Sequence, residues 1–297
     1  MSFGGFRNFV ALMVLIWIQS SATTADAQEG MVWRKLDLNS LVYMELNEGT
    51  VVVELNPAFA PKTVKQFKRL VEEDFYRGLS FYRVIDGFVA QGGDESDINQ
   101  PNPEPALPAE FQREWDDELP WTRVEKKDMF KAETGFIHGF AAARTKSHVW
   151  LTHCPGVLAM ARNDEPDSGS TDFYIVIGQA PRYLDRNLTI FGRVVHGMDV
   201  VQRIRRGRTD ENGIVFKDTD RSRILSMQLA ADRDAADQEL FYVMDTSSIA
   251  FGELLAARRN RSGGFFHRKP PRVLDVCQVP VWSRVEKPNS LNRRSVQ

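Results

Sequence analysis

The residues best suited to chemistry are concentrated in residues 81–94, whose sequence is FYRVIDGFVAQGGD. Arg83 carries a planar guanidinium that is always charged and donates hydrogen bonds in fixed directions, which a lysine would not reproduce. Gln91 adds an amide, and Phe88 adds an aromatic ring nearby in sequence. The segment contains no Ser–His–Asp or Cys–His arrangement. These residue types could act by charge and hydrogen bonding, but an arginine in a strand, taken singly, is usually a solvated edge residue.

Histidine and cysteine, two other residue types that often carry chemistry, are scarce. The chain has five histidines and two cysteines, too few for a zinc array or a disulfide scaffold. His138, His148 and His153 fall in one stretch, but they lack the spacing and the helical context of metal ligands. We interpret them as non-ligands and expect neither a metal nor a cofactor.

Composition limits the class of protein. Of the 297 residues, 42% are hydrophobic and 26% are charged, so the chain has enough apolar surface for a core and is not wholly disordered. The 38 basic and 40 acidic residues give a net charge of −2, which argues against a general nucleic-acid binder. An ordinary, mostly globular protein remains.

Residues 1–27 have the layout of a secretory signal peptide. One arginine precedes ten apolar residues (Phe9 to Ile18), and a small polar stretch ends in the A-x-A site Ala25–Asp26–Ala27. The alternatives are a buried helix and a membrane anchor, but ten apolar residues are too few to span a bilayer of roughly 30 Å. We expect an exported protein, periplasmic or secreted, with no membrane span after cleavage. Residues 28–40 then form an N-terminal segment.

Export changes the interpretation of the two cysteines. In an oxidising compartment Cys154 and Cys277 can pair, which would tie the end of the chain to its body. The alternative is two separate buried thiols that pack as small hydrophobic groups. We favour the disulfide because the chain has only these two cysteines.

The elements around residues 81–94 are mostly strands. Residues 41–55 alternate as a hairpin, and Pro61 begins a helical pattern that Gly78 ends. A short helix is expected over residues 197–204. Because helices do not alternate regularly with the strands, the pattern favours a closed antiparallel barrel over a parallel sheet. The remaining strands are predicted at residues 80–85, 87–94, 156–161, 173–177, 189–195 and 224–229.

Two segments differ from this pattern. Residues 94–118 carry nine acids and four prolines, which predicts a long acidic loop without regular structure throughout. The stretch from there to His153 is expected to lie over the surface. In the basic C-terminal extension, residues 233–297, we predict a helix over 237–259 and a strand over 272–282.

Residues 81–94 closely resemble the cyclophilin signature F-x-R-v-i-x-G-F-x-x-Q-G-G-D. Residues 156–161 resemble the family's G-x-l-s-M-A strand, residues 168–175 its S-x-x-S-Q-F-F-I strand, and residues 183–192 its W-L-D…F-G segment. Order and spacing hold over residues 41–229, about two thirds of the chain. The signal peptide, an insertion at about residues 94–152 and residues 233–297 lie outside the resemblance.

The resemblance implies a mainly β fold, a closed eight-stranded antiparallel barrel capped by two helices, with a long insertion and a C-terminal helix–strand extension. It also implies peptidyl-prolyl cis–trans isomerase activity on proline-containing polypeptides, in a groove outside a packed barrel. Arg83 would donate to the prolyl nitrogen, and Gln91 would hold the arginine or the substrate carbonyl. The backbone at Arg162 would run antiparallel to the substrate. The residues implied in substrate binding are Phe88, Val89, Ala161, Arg162, Tyr174, Tyr183, Leu184 and Leu188.

This chain departs from the family pattern around the expected groove. Tyr82 replaces a frequent histidine, and Asp172 replaces a glutamine and adds a negative charge. Tyr174 keeps an aromatic wall but brings a hydroxyl that needs a partner or water. Tyr183 replaces a tryptophan, and Leu188 replaces a common histidine. The arginine and glutamine are retained while the rim changes, so activity is expected and substrate preference stays open.

Two functions compete on this basis. The first is an exported prolyl isomerase that assists folding. The second is a non-catalytic binding module with the cyclophilin fold, whose insertion and extension hold a partner protein. A barrel that carries a small hydrophobic ligand is disfavoured because the family's barrel interior is packed. The sequence leaves the oligomeric state open.

Overall fold

The barrel predicted from the sequence is confirmed in the computed structural model, which describes residues 30–95 and 104–287. Eight strands within these ranges close in the order β11-β12-β5-β4-β14-β2-β3-β13, and every neighbouring pair is antiparallel. The expected signal peptide lies outside the described residues. The strands are β2 (Leu41–Leu46), β3 (Gly49–Leu55), β4 (Ser80–Ile85), β5 (Val89–Gly93), β11 (Val157–Met160), β12 (Phe173–Val176), β13 (Ile190–His196) and β14 (Ser222–Leu229).

Alternation along β12 separates two apolar cores. On β12, Phe173 and Ile175 face the barrel interior, where they pack with Phe67, Phe81 and other residues of the first core. Tyr174 and Val176 belong to a second core on the outer side of the barrel. Because successive side chains of a strand point to opposite faces, one strand contributes to both cores.

Two helices accompany the barrel, α1 (Pro61–Glu72) and the short α2 (Met198–Val201). Helix α1 ends at Glu72, before the predicted Gly78, and α2 is shorter than the predicted 197–204. Ala60 at the start of α1 provides no side-chain cap. Glu110 provides it instead, because its carboxylate accepts from the backbone N–H groups of Lys62 and Thr63, both at 2.9 Å. The insertion thereby satisfies two amides that a helix start leaves unpaired.

The insertion is more ordered than the sequence predicted. It lies over the outer surface of the barrel, as expected, but it forms a five-stranded antiparallel sheet in the order β6-β10-β9-β8-β7, which the sequence pattern did not predict. In β8 four of five residues are buried, because the sheet packs against the outer side of the barrel. The strands are β6 (Arg113–Glu114), β7 (Trp121–Glu125), β8 (Glu133–Ile137), β9 (Phe140–Arg144) and β10 (His148–Leu151).

The C-terminal extension also differs from its prediction. The helix expected over 237–259 is confined to α3 (Ile249–Arg259), and β15 (Leu240–Met244) precedes it. β15 is a strand because it pairs on both sides, with β1 (Trp33–Lys35) and with β16 (Ser283–Glu286). The strand expected over 272–282 is wrong: it contains a single 3₁₀ turn, Val276–Gln278, whose start is capped by the carboxylate of Asp275 at 2.9 Å from the Cys277 amide.

A disulfide joins this extension to the barrel. Cys154 precedes β11 and Cys277 lies in the 3₁₀ turn; their Cα atoms are 5.0 Å apart and 123 positions separate them in sequence. Leu274, Val276 and Val279 beside it are buried in the second core. The insertion and the extension therefore both pack on the outside of the barrel. No helix of the described residues is long and apolar enough to cross a bilayer.

Candidate active site

Strand pairing places the predicted catalytic residues in one row on the outer face of the barrel. Arg83 of β4 lies opposite Gln91 of β5, Gln91 lies opposite Tyr174 of β12, and Tyr174 lies opposite Ala159 of β11. Neighbouring strands are about 4.8 Å apart, so the row brings an arginine, an amide and an aromatic wall within the reach of one dipeptide. The structure thus brings Arg83, Gln91 and Tyr174 together.

A β-bulge in β4 explains why two adjacent residues both reach this row. The register between β4 and β5 shifts between Phe81 and Arg83. Phe81 and Val84 both face the first core, although they are three positions apart. Tyr82 and Arg83 consequently both reach Gln91 with their side chains, since a bulge adds one residue and redirects its neighbours. The sequence contained no signal for this bulge.

Two amide oxygens hold the guanidinium of Arg83. Nη1 donates to Oε1 of Gln91 at 3.0 Å, and Nη2 donates to Oδ1 of Asn212 at 3.3 Å. Asn212 is brought there by the turn of residues 208–214, because the backbone N–H of Val84 donates to the carbonyl of Gly213 at 2.7 Å. Partial burial lowers the pKa of Arg83, and the group stays cationic because an arginine is protonated far above neutral pH. Sequence analysis had not identified Asn212.

Tyr82 and Asp172, two of the residues that depart from the family pattern, contact each other beside Gln91. The hydroxyl of Tyr82 donates to Oδ2 of Asp172 at 2.5 Å and accepts from Nε2 of Gln91 at 2.6 Å. Burial raises the pKa of Tyr82 well above its usual range, and the charge of Asp172 raises it further. The other oxygen of Asp172 accepts from the backbone N–H of Asp94 at 2.9 Å. A hydrogen-bonded chain therefore runs from Asp172 to Arg83.

The hydroxyl of Tyr174 has a buried partner. Nε2 of His153 lies 2.8 Å from it, and Nδ1 of His153 lies 3.0 Å from Oδ1 of Asp185. His153 therefore bridges the phenol of Tyr174 and the carboxylate of Asp185 through its two ring nitrogens. Burial raises the pKa of Tyr174, and Asp185 adds to the shift. His153 was interpreted as a non-ligand, and its sequence context gave no indication of this contact.

The other predicted substrate-binding residues differ in how deeply they are buried. Val89 is buried beside Tyr174, whereas Phe88, Ala161 and Leu188 are partly buried against the second core. Leu184 is partly buried in the 3₁₀ turn Arg182–Leu184, and its neighbour Tyr183 is 67% exposed.

Arg162 lies two residues after the end of β11. Its guanidinium folds back onto the carbonyl groups of Asn187 at 3.0 Å and Asp164 at 3.0 Å. It also lies 5.6 Å from the ring of Phe111 in the insertion. These contacts stabilise the segment at which a substrate backbone was expected to pair.

A cavity of about 840 Å³ lies beside Phe88, one of the predicted substrate-binding residues. Phe88 and Tyr183 line it on the barrel side, Met129 and Phe130 of the insertion line another side, and the segment from Val273 to Gln278 closes it. Four of its lining residues are large exposed hydrophobic side chains. Exposed apolar surface of this kind marks contact with another molecule. These four residues are Met129, Phe130, Tyr183 and Val273.

Nothing in this arrangement resembles a metal centre: in residues 30–95 and 104–287 no group of three or more His, Cys, Asp or Glu side chains could hold a metal ion. The chemistry that the arrangement can perform is hydrogen-bond donation from a fixed cation beside an apolar wall.

Known proteins share this architecture and sequence. Residues 41–228 match the family described as cyclophilin type peptidyl-prolyl cis-trans isomerase/CLD. A probable peptidyl-prolyl cis-trans isomerase of Brucella suis is 33% identical over 191 residues, which cover 60% of this chain and 78% of that protein. Peptidyl-prolyl cis-trans isomerase ppi1 of Schizosaccharomyces pombe is 31% identical over 58% of this chain and 88% of that protein.

A solved structure extends the similarity beyond the barrel. The crystal structure of cyclophilin AquaCyp293 from Hirschia baltica superposes with a TM-score of 0.70 at 29% identity, covering 85% of this chain and 93% of that one. This coverage exceeds the share of the chain that the family match spans. With the family match over more than half of its length, the chain belongs to the cyclophilin-type peptidyl-prolyl cis–trans isomerases.

Proposed function

We propose that this peptidyl-prolyl cis–trans isomerase acts on exported polypeptides and uses Arg83 as the group that stabilises the twisted X-Pro bond. Its family, its relatives and its fold support the activity itself. The role of Arg83 rests on one observation: the cation is held by Gln91 in the same cross-strand row as the aromatic wall of Tyr174.

The chemistry follows from the electronic structure of the amide. Rotation is opposed by a barrier of about 18–20 kcal/mol because the nitrogen lone pair is delocalised into the carbonyl. When the bond twists, the prolyl nitrogen regains its lone pair and becomes a hydrogen-bond acceptor. A fixed donor aimed at that nitrogen therefore stabilises the transition state more than either planar state. No proton transfer and no covalent intermediate are needed.

The groove and its surroundings support a polypeptide substrate. The apolar wall around Tyr174 and Val89 suits a proline ring. The cavity beside Phe88 and Tyr183 then offers apolar surface to residues that flank the proline. We propose that the substrate backbone lies along Ala161 and Arg162, with Leu184 and Leu188 at the rim.

Two features support export to the periplasm or beyond. Residues 1–27 have the signal-peptide layout, and the Cys154–Cys277 disulfide is of a kind that persists in oxidising compartments. Expression of the full chain in a bacterium, followed by fractionation and N-terminal sequencing, tests the proposal. Cleavage before Gln28 in the periplasmic fraction is expected; an uncleaved chain in the cytoplasm would contradict export.

A proline tetrapeptide assay tests the role of Arg83. Replacement of Arg83 by Ala should lower kcat/KM by about 100-fold, because a preorganised donor to the transition state is lost. Replacement of Arg203, an exposed arginine paired with Asp199 on α2, should leave the rate unchanged. If wild-type protein gives the uncatalysed rate, the chain acts as a binding module; if Arg83→Ala retains wild-type activity, another group is the donor.

A further inference from the structure

We infer that Tyr82 and Asp172 are positioning residues of the isomerase: the buried carboxylate of Asp172 sets the direction of a hydrogen-bond chain through Tyr82 and Gln91, and that chain fixes the guanidinium of Arg83. The inference rests on the proposed role of Arg83 and adds two residues to it. Both are departures from the usual family pattern, and they lie 90 positions apart in sequence.

The direction of the chain follows from what each group can donate. An ionised carboxylate only accepts, so the phenol of Tyr82 must donate to it, at 2.5 Å. The phenol oxygen is then left as an acceptor, and Nε2 of Gln91 donates to it at 2.6 Å. The amide of Gln91 is thereby oriented with Oε1 toward Arg83, at 3.0 Å. With Asp172 ionised, one orientation of the glutamine satisfies the whole chain.

The surroundings hold the carboxylate in place. Tyr82 and Asp172 are each 1% exposed. A side chain at Gly93, whose φ is +147°, would place its Cβ 1.8 Å from Oδ1 of Asp172, so only a glycine fits beside the carboxylate. The backbone N–H of Asp94 also donates to Oδ1. Burial raises the pKa of Tyr82, which keeps the phenol protonated as the donor that the chain requires.

This arrangement orients the arginine without neutralising it. Among residues 30–95 and 104–287, the side-chain acceptors of the Arg83 guanidinium are the amide oxygens of Gln91 and Asn212. A carboxylate in direct contact would compete with the prolyl nitrogen for the donors and would cancel the positive charge that the twisted bond requires. Here the carboxylate acts through a phenol and an amide, so it supplies direction while the charge remains available.

Steady-state kinetics with a proline tetrapeptide test the chain. Tyr82→Phe and Asp172→Asn should each lower kcat by about tenfold with KM changed less than twofold, since the arginine stays in place but is no longer oriented. The double variant should be no slower than either single variant, because the chain is already broken. Tyr43→Phe is the matched control: this buried tyrosine donates to Glu239 at 3.2 Å, away from the groove, and should keep wild-type kinetics.

Two compensating substitutions keep the kinetic test informative even if a single variant folds poorly. Tyr82→His/Asp172→Gln introduces the two residue types frequent in the family and should recover most of the kcat that Tyr82→His alone loses. Wild-type kcat in both Tyr82→Phe and Asp172→Asn would overturn the inference, as would losses that multiply in their double variant. Wild-type activity of Arg83→Ala would instead overturn the proposed role of the arginine, so the two failures are distinguishable.

Discussion

Breaking the Cys154–Cys277 disulfide should lower the free energy of unfolding by about 5 kcal/mol. The cross-link spans 123 positions. In the chain-entropy relation a loop of this length removes about 16 cal/mol/K of denatured-state entropy, which corresponds to about 5 kcal/mol at 25 °C. The double variant Cys154→Ala/Cys277→Ala removes the cross-link and leaves the barrel strands intact. We expect it to fold, with a less stable attachment of the extension.

Guanidinium unfolding at equilibrium measures the effect. The variant should show a lower transition midpoint and a larger m-value than the oxidised wild type, because its denatured state is less compact. Reduced wild-type protein is the control: it keeps both sulfur atoms and should match the variant within about 1 kcal/mol, since Cys154 also contributes buried surface.

Two outcomes would refute this reasoning. A difference below about 1 kcal/mol between oxidised and reduced protein would mean that the cross-link does not constrain the denatured chain. Two free thiols in the mass of the alkylated, unreduced protein would mean that the bond does not form. Hydrogen exchange over residues 272–279 separates local release of the extension from global unfolding, because release alone accelerates exchange only there.

Three further predictions concern other contacts. Glu110→Ala should lower stability by about 1 kcal/mol, measured by urea unfolding, because the start of α1 loses its cap; Glu118→Ala, on the same insertion, should have no effect. A double-mutant cycle of Tyr174→Phe and His153→Phe should give a coupling of about 1 kcal/mol, and additive effects would contradict their hydrogen bond. Stability should fall as pH rises above about 10, because the unfolded chain releases tyrosine protons that the folded chain retains. The buried tyrosines with a raised pKa are Tyr43 (to about 12), Tyr76, Tyr82 and Tyr174. The absorbance of tyrosinate at 295 nm should therefore rise at a higher pH in the folded protein than in the unfolded protein. Coincident titration curves would refute the raised pKa values.

The barrel could be predicted because its strands alternate between two environments. In β12 the residues facing the interior and those facing outward follow each other singly, which is the period that a strand pattern detects. The insertion lacks this signal. β8 is buried at nearly every position and β9 contains three consecutive alanines, so neither shows a period of two. Residues 240–244 are a short apolar run that fits a helix or a strand, and pairing with β1 and β16 decides between them.

The residues of the candidate site could also be predicted only in part. Arg83, Gln91 and Tyr174 were identified because each stands in a motif with fixed spacing. Their partners come from outside those motifs: Asn212 lies on a distant turn, and the bulge at Tyr82 is a property of two paired strands. Tyr82 and Asp172 were each recognised as unusual, yet their contact depends on the adjacency of β4, β5 and β12.

The second core links the barrel to the insertion and to the C-terminal extension. The outward residues Val89, Val157 and Val176 pack with Phe136 of the insertion and Phe251 of α3. A fragment trimmed to the family boundaries, residues 41–228, would keep the insertion but lose α3 and residues 273–278, so it would expose part of that apolar surface and lose one wall of the cavity. We therefore expect the barrel and its appendages to depend on each other for stability, and the barrel without them to be less soluble than the whole chain.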